Sequence, residues 1–173
     1  ISHLEATLKD PKMRKIMEGN VKARLRMIYL YNQARMYHGA VLSTDNMTEY
    51  LLGFWTINGD VGDISPIQLH YKTEVYAMSE YLVDEYRKRA VSENNESFLK
   101  KADALNKCIH AIPTDGLGIT NSALDQIGAP SYEIVDRILL GDTILAEKYP
   151  GVLEMKNKTE FKRSLPVILG WGG

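Results

Sequence analysis

The 173-residue sequence has a single cysteine, Cys108, so no disulfide can form within the chain and a disulfide-stapled secreted scaffold is excluded. A reducing cytoplasm is the expected compartment. Charge of either sign is not in surplus: 21 Lys and Arg stand against 22 Asp and Glu, a formal net charge of −1. That balance argues against a general electrostatic grip on nucleic acid or on an anionic membrane. No apolar run approaches the roughly 20 residues needed to span a bilayer. The opening segment ISHLEATLKDPKMRK is polar and does not read as a signal peptide. The four histidines are scattered, and none shares a metal-type spacing with Cys108, which argues against a structural zinc site. Internal repeats and low-complexity tracts are missing too. What remains is 45% hydrophobic and 25% charged over 19.6 kDa, enough for one domain over residues 1–173 with a leading polar segment at 1–18. The first residue, Ile1, is the start expected of a processed or trimmed chain, or of a segment of something longer.

From Asn20 onward Ala23, Met27, Leu30, Ala34 and Tyr37 recur at spacings of four and three, which predicts a helix with one apolar stripe, stopped by Gly39. Ala40-Val41-Leu42 reads as a short buried strand. Thr44-Asp45-Asn46 then supply N-cap chemistry for a second helix through Leu52. The glycine-rich, aromatic stretch 53–66 reads as an ordered loop. A third helix is predicted from Lys72, with Val75, Met78, Leu82 and Tyr86 on one face. After the polar run 92–97, Phe98, Ala102, Leu105, Ile109 and Ile112 predict a fourth helix ending before Pro113. Residues 114–130 have little periodicity and are long for a plain connection, as lids and binding loops are. Ser131 caps a helix to Leu140, closed by Gly141, and Asp142 caps another before Pro150.

Three places carry chemistry-bearing side chains. Ser43-Thr44-Asp45-x-x-x-Glu49 runs from a strand end into a helix, where open α/β sheets bind ligands. A carboxylate beside a hydroxyl there suits Mg²⁺ held with nucleotide phosphates, although Asp45 and Glu49 equally fit a plain helix cap. Lys72 opposes the dipole of its own helix, at a cost of about 0.3–1 kcal/mol. That makes sense if an anion lies between it and the helix N–H groups, or if the lysine is simply solvated. Lys22, Arg24 and Arg26 flank the first apolar stripe, where they either reach a phosphate or carboxylate or merely cover apolar surface. Lys156, Lys158, Lys162 and Arg163 read as a solvated face.

The segments together resemble the ammonia-dependent NAD synthetases. GNVKARLRM (19–27) is similar to that family's G-N-x-K-A-R-x-R-M, and STDNMTEYLLGFWTINGD (43–60) to G-T-D-x-x-x-E-x-x-x-G-F-F-T-K-Y-G-D. DISPIQLHYK (63–72) resembles D-I-N-P-L-x-x-L-x-K, PTDGL (113–117) resembles P-T-A-D-L, and TEFKR (159–163) resembles T-E-H-K-R. The five motifs stand in the family's order across most of the chain.

The resemblance implies an α/β fold, the helix-rich C-terminal part of an adenine-nucleotide α-hydrolase-like architecture, Rossmann-like with a parallel sheet. It implies a ligase of NAD biosynthesis that amidates deamido-NAD with ammonia, through an acyl-adenylate, at the expense of ATP and with Mg²⁺. It places ATP at Thr44, Lys72 and Thr114, Mg²⁺ at Glu49, and deamido-NAD at Arg24, Asp63 and Lys162. Residues 114–130 become a substrate lid, and a homodimer is expected.

The departures are specific. Ile57 stands where the family has the lysine of F-T-K-Y-G-D, Phe161 where it has the histidine of T-E-H-K-R, and the loop GDVGD (59–63) is one residue short. The S-G-G-x-D-S loop that cradles pyrophosphate in such enzymes, and whose aspartate binds Mg²⁺, does not occur in the sequence. The expected activity therefore needs an N-terminal ATP-loop part beyond these residues, attached or separate. No amidase is encoded to draw ammonia from glutamine. The alternatives are a non-catalytic relative used for binding or assembly, and an ATP pyrophosphatase that makes a different amide.

Overall fold

The structure is a computed structural model, and it describes residues 9–114 and 120–165. Nine helices are named among those residues. The first, α1, spans Pro11–Met36. It begins nine residues before the apolar rhythm does, because Asp10 caps it by accepting from the Lys12 N–H (2.9 Å) and Pro11 opens the first turn. The described part of the leading polar segment is therefore mostly helix. Its far end is set by His38 rather than Gly39: His38 takes the left-handed conformation (φ 52°) and lets the Gly39 N–H bond back to Ala34.

Val41 and Ser43 are buried and Leu42 between them is exposed, an alternation that belongs to an extended segment. It pairs with the 63–64 stretch through one parallel bridge, Leu42 to Ile64. Ser43 donates to the Ile64 carbonyl (2.8 Å) and Asp63 to the Val41 carbonyl (2.8 Å). Gly62 permits this approach, since a Cβ there would overlap the Val41–Ser43 backbone. Among the described residues there is no strand and no sheet, so the expected parallel sheet is reduced here to that bridge. The physical reason is local: the Val41 N–H bonds the Asp63 side chain (2.9 Å) in place of a further backbone carbonyl, so the ladder ends there, while Leu42 turns its backbone groups the other way.

Helix α2 (Met47–Leu52) ends on Gly53 in the left-handed conformation (φ 65°). Helices α3 (Lys72–Ser92) and α4 (Ser97–Ile109) pack along each other as a hairpin. Tyr86 stacks on Phe98 with ring centres 6.0 Å apart, and Arg89 lies over the same ring. The predicted face of α3 is rotated: Met78 and Leu82 are exposed, whereas Val83 and Ala90 are buried. Helix α4 also stops three residues short of Ile112, which is exposed.

The expected lid divides. Residues 115–119 lie outside the described ones, but Ser122 caps a short helix, α5 (Ala123–Ile127), whose Ala123 and Ile127 are buried. Helices α6 (Tyr132–Leu139) and α7 (Thr143–Lys148) follow; Ser131 stands at the start of α6 as predicted but makes no side-chain cap bond, whereas Asp142 caps α7 by accepting from the Leu145 N–H. Two further helices, α8 (Gly151–Lys158) and α9 (Glu160–Arg163), carry the cations expected on a solvated face; Lys158 is exposed, whereas Lys156, Lys162 and Arg163 are half-buried. The core lies between α2, α5, α6 and α8, where Leu52, Ile127, Val135, Ile138 and Val152 are almost wholly buried. None of the described helices is long and apolar enough to cross a membrane.

Helix α1 stands apart from this core. Only Gly19 and Ala23 are buried along its 26 residues, and the stripe predicted to face a core leaves Leu30 and Tyr37 exposed. Its ties to the rest are local: the Thr56 hydroxyl donates to Asn20 Oδ1 (2.9 Å), and Arg24 Nε donates to the Ile57 carbonyl (3.1 Å).

Candidate active site

A cleft of about 1050 Å³ opens between the inner face of α1, the start of α2, the 53–60 loop and the start of α3. Helix geometry explains its first wall. Lys15, Gly19, Lys22 and Arg26 are spaced four, three and four residues apart, hence on one face, and all line the cleft with Lys12. Arg24 projects elsewhere, to the Ile57 carbonyl, and is not part of the lining.

The opposite wall is built by a capping box. Asn46, 1% exposed, accepts from the Glu49 N–H (3.1 Å), and Glu49 Oε2 accepts from the Asn46 N–H (3.2 Å) and from Asn46 Nδ2 (2.6 Å). This fixes Glu49 with its second oxygen, Oε1, 2.7 Å from Lys72 Nζ. The two side chains are 23% and 18% exposed, so the ion pair is shielded although it opens to the cleft. The Lys72 ammonium also lies 5.9 Å from the centre of the Tyr76 ring and 5.6 Å from that of Tyr132. Burial, followed by the negative charge of Glu49, pushes the Tyr132 hydroxyl pKa well up, keeping it a neutral phenol.

The lysine that opposed its own helix dipole thus has its anion within the chain. Glu49 meets the ammonium, and the first N–H groups of α3 are occupied as well. Lys72 N–H donates to Thr48 Oγ1 and Thr73 N–H to Asp136 Oδ2, both at 2.9 Å.

Asp45 lines the cleft next to Thr44. Burial and the charges of Glu49 and Asp60 raise its pKa to about 7, with Lys72 pulling the other way. Carboxylates that crowd one another in this way are the chemistry a hard cation relieves. Among the described residues no three His, Cys, Asp or Glu side chains form a ready-made metal cage. Mg²⁺ usually takes one or two carboxylates and completes its shell with water and phosphate, so Glu49 with Asp45 nearby fits that ion.

The floor is formed by the 53–56 loop and α9. Lys162 Nζ donates to the carbonyls of Gly53 (2.6 Å) and Trp55 (2.5 Å) and sits 5.3 Å from the centre of a Trp55 ring. Desolvation lowers its pKa, and Asp60 partly offsets the effect. Arg163 braces the same floor, bonding the carbonyls of Leu51 (2.7 Å) and Lys156 (2.6 Å). Trp55 Nε1 is buried without a partner among the described residues.

Of the residues that the resemblance singled out, Thr44, Glu49, Lys72, Thr114 and Lys162 line this one cleft. Arg24 and Asp63 do not. Asp63 is spent on the bridge, where its Oδ2 accepts from the Val41 N–H (2.9 Å). Sequence reasoning passed over Lys12, Lys15, Asp60 and Trp55 as cleft residues. The four–three–four spacing from Lys15 to Arg26 was the available signal for the lysine wall. Ile57 and Phe161, the departures from the family pattern, are also outside the lining, and Phe161 is exposed.

Known proteins match this chain along most of its length. The NAD synthase family model matches residues 1–166. An NH(3)-dependent NAD(+) synthetase of Thermoplasma volcanium is 35% identical over 157 residues, covering 87% of this chain and 56% of that protein. The structure of NMN synthetase from Francisella tularensis superimposes with a TM-score of 0.72 at 26% identity, covering 98% of this chain and 62% of that one. The NH3-dependent NAD synthetase of Campylobacter jejuni, solved with a nitrate ion, gives 0.53 at 28% identity, over 90% and 56% of the two chains. The 173 residues thus span somewhat over half the length of these relatives. With matched motifs, matched fold and a family model covering nearly the whole sequence, the chain belongs to the NAD synthase family.

Proposed function

We propose that the cleft binds ATP and deamido-NAD for ammonia-dependent amidation, giving NAD, AMP and pyrophosphate, in the cytoplasm. The observation that carries this reading is the convergence of Thr44, Glu49, Lys72, Thr114 and Lys162 on one cavity from four separate stretches of sequence. In the first step the nicotinate carboxylate oxygen attacks the α-phosphorus of ATP, and the bond to pyrophosphate breaks. In the second, ammonia attacks the acyl carbon and AMP leaves with the bond electrons, while the nitrogen gives up a proton.

Lys72 has the position and charge to hold phosphate oxygens, and Glu49 keeps it oriented. Thr44 and Thr114 offer hydroxyls at the same cavity, and Lys162 would meet the deamido-NAD end. Glu49, with Asp45 close by, would hold Mg²⁺, which when bound neutralises phosphate charge. Arg24 and Asp63 stay in the proposal on the strength of the motif resemblance alone.

The pyrophosphate-cradling loop is assigned to an S-G-G-x-D-S segment outside these residues. The backbone edge that Leu42 turns outward supports the docking of a strand beside Val41–Ser43. The exposed apolar side of α1, with Val21, Leu25, Ile28 and Tyr29, supports a homodimer.

The test is NAD formation from deamido-NAD, ATP and ammonia by this chain combined with an S-G-G-x-D-S-bearing segment. Lys72→Met should lower the rate by about 10²-fold, the usual scale for removing one transition-state charge stabiliser. Full activity in that variant, or none from the wild type in any pairing, would reject the reading.

A second reading concerns substrate length. The higher TM-score to the Francisella tularensis NMN synthetase supports testing a mononucleotide acid beside deamido-NAD. Parallel assays with the two acids decide between them, the larger kcat/KM naming the substrate.

A further inference from the structure

We propose that Asp136 is a positioning residue for the Lys72–Glu49 pair, holding the start of α3 against α2 so that both charged groups face the cleft. It rests on the reading of that cleft as a nucleotide site. Asp136 comes from α6 and lies 88 positions beyond Thr48 in sequence, at 2% exposure. Its Oδ1 accepts the Thr48 hydroxyl at 2.5 Å, and its Oδ2 accepts the Thr73 N–H at 2.9 Å. Thr48, itself fully buried, then accepts the Lys72 N–H at 2.9 Å.

The direction of this chain is fixed by donor inventory. A carboxylate accepts only, so the Thr48 proton must point at Asp136, which leaves the Thr48 lone pairs for Lys72. Each anchored group is next in sequence to a charged cleft residue, or is that residue. Thr48 precedes Glu49, and the two anchored N–H groups belong to Lys72 and Thr73. One buried carboxylate thereby sets the separation of two helix starts, and the 2.7 Å ion pair is built on that separation. The negative charge of Asp136 also offsets the unfavourable placement of a lysine at a helix N-terminus. None of the ion pairs among the described residues involves Asp136; its recorded partners are neutral donors on the two elements it joins.

The experiment uses the full chain, combined with the S-G-G-x-D-S-bearing segment, as wild type, Asp136→Asn, Lys72→Met and the double variant. Asparagine keeps the shape but must turn a donor towards one of the two groups that now donate. In D136N the Thr73 amide should exchange with solvent at least tenfold faster. The Lys72 ε-methylene NMR signals should move in the direction produced by Glu49→Gln. Mg²⁺–ATP affinity, read by calorimetry, should fall about tenfold in D136N and by clearly less when D136N is added to K72M. Equal losses in both backgrounds, or unmoved Lys72 signals in a folded D136N, would overturn the proposal, because a merely structural residue acts without Lys72.

If D136N does not fold, Thr48→Ser and Thr48→Val carry the test: the serine should match wild type and the valine should reproduce the shifted Lys72 signals. Lys72 signals unmoved in T48V would overturn the proposal. Failure of the wild type to bind Mg²⁺–ATP would count against the nucleotide reading alone. The exchange and NMR results judge Asp136 in either case.

Discussion

At the residue scale the cleft is a place where charges are held out of their ordinary balance. Asp45 has its pKa raised to about 7, first by burial and then by Glu49 and Asp60. Its folded pKa exceeds its unfolded value, so between about pH 4 and 7 the folded state binds the proton more often than the unfolded one. Stability from this group is present below that window and is lost as pH rises through 7. Thermal melts from pH 4 to 8 should therefore show a falling contribution in the wild type that Asp45→Asn removes; identical profiles would contradict the assignment. Lys162 offers a different prediction. Its ammonium is the partner of the Gly53 and Trp55 carbonyls, so Lys162→Met leaves both without that donor and should cost about 1–3 kcal/mol in urea unfolding.

At the scale of elements, local chemistry was legible and burial was not. The cap at Asp142, the N-terminal boundary of α6 at Ser131 and the start of α3 at Lys72 follow from a few adjacent side chains, and the structure has them where the sequence puts them; α2 is capped by Asn46 and not by Asp45. The apolar stripes of α1 and α3 were legible as patterns, yet which side is covered depends on partners far along the chain. In α3 the covered side holds Val83 and Ala90. Lys162 and Arg163 looked like surface charges because their carbonyl partners in residues 51–55 lie more than 100 positions away. Asp136 was passed over for the same reason. One junction of elements gives a sharp test. Gly53 ends α2 in the left-handed region, and a Cβ there would collide with the Thr159 side chain at the end of α8. Gly53→Ala should destabilise the fold by at least about 1–2 kcal/mol, the cost of the backbone conformation alone, and lower the melting temperature accordingly.

At the scale of the molecule, a packed core around α2, α5, α6 and α8 carries a long helix with a largely exposed apolar side. Leu25 and Ile28 are 58% and 68% exposed, so replacing both with glutamate removes little from the core. Leu25→Glu with Ile28→Glu should leave the unfolding free energy within about 0.5 kcal/mol per site and, for the proposed homodimer, shift sedimentation towards the monomer. A dimer that survives both changes would place the interface elsewhere. The Leu42 edge has a consequence of another kind. An extended segment with one side paired and, among the described residues, no partner strand on the other is a template for any passing strand. For the living cell that makes covering the edge a matter of lifetime. A copy with its edge covered would persist, while a bare one would be handed to chaperones and proteases, so abundance would report on how well the edge is met.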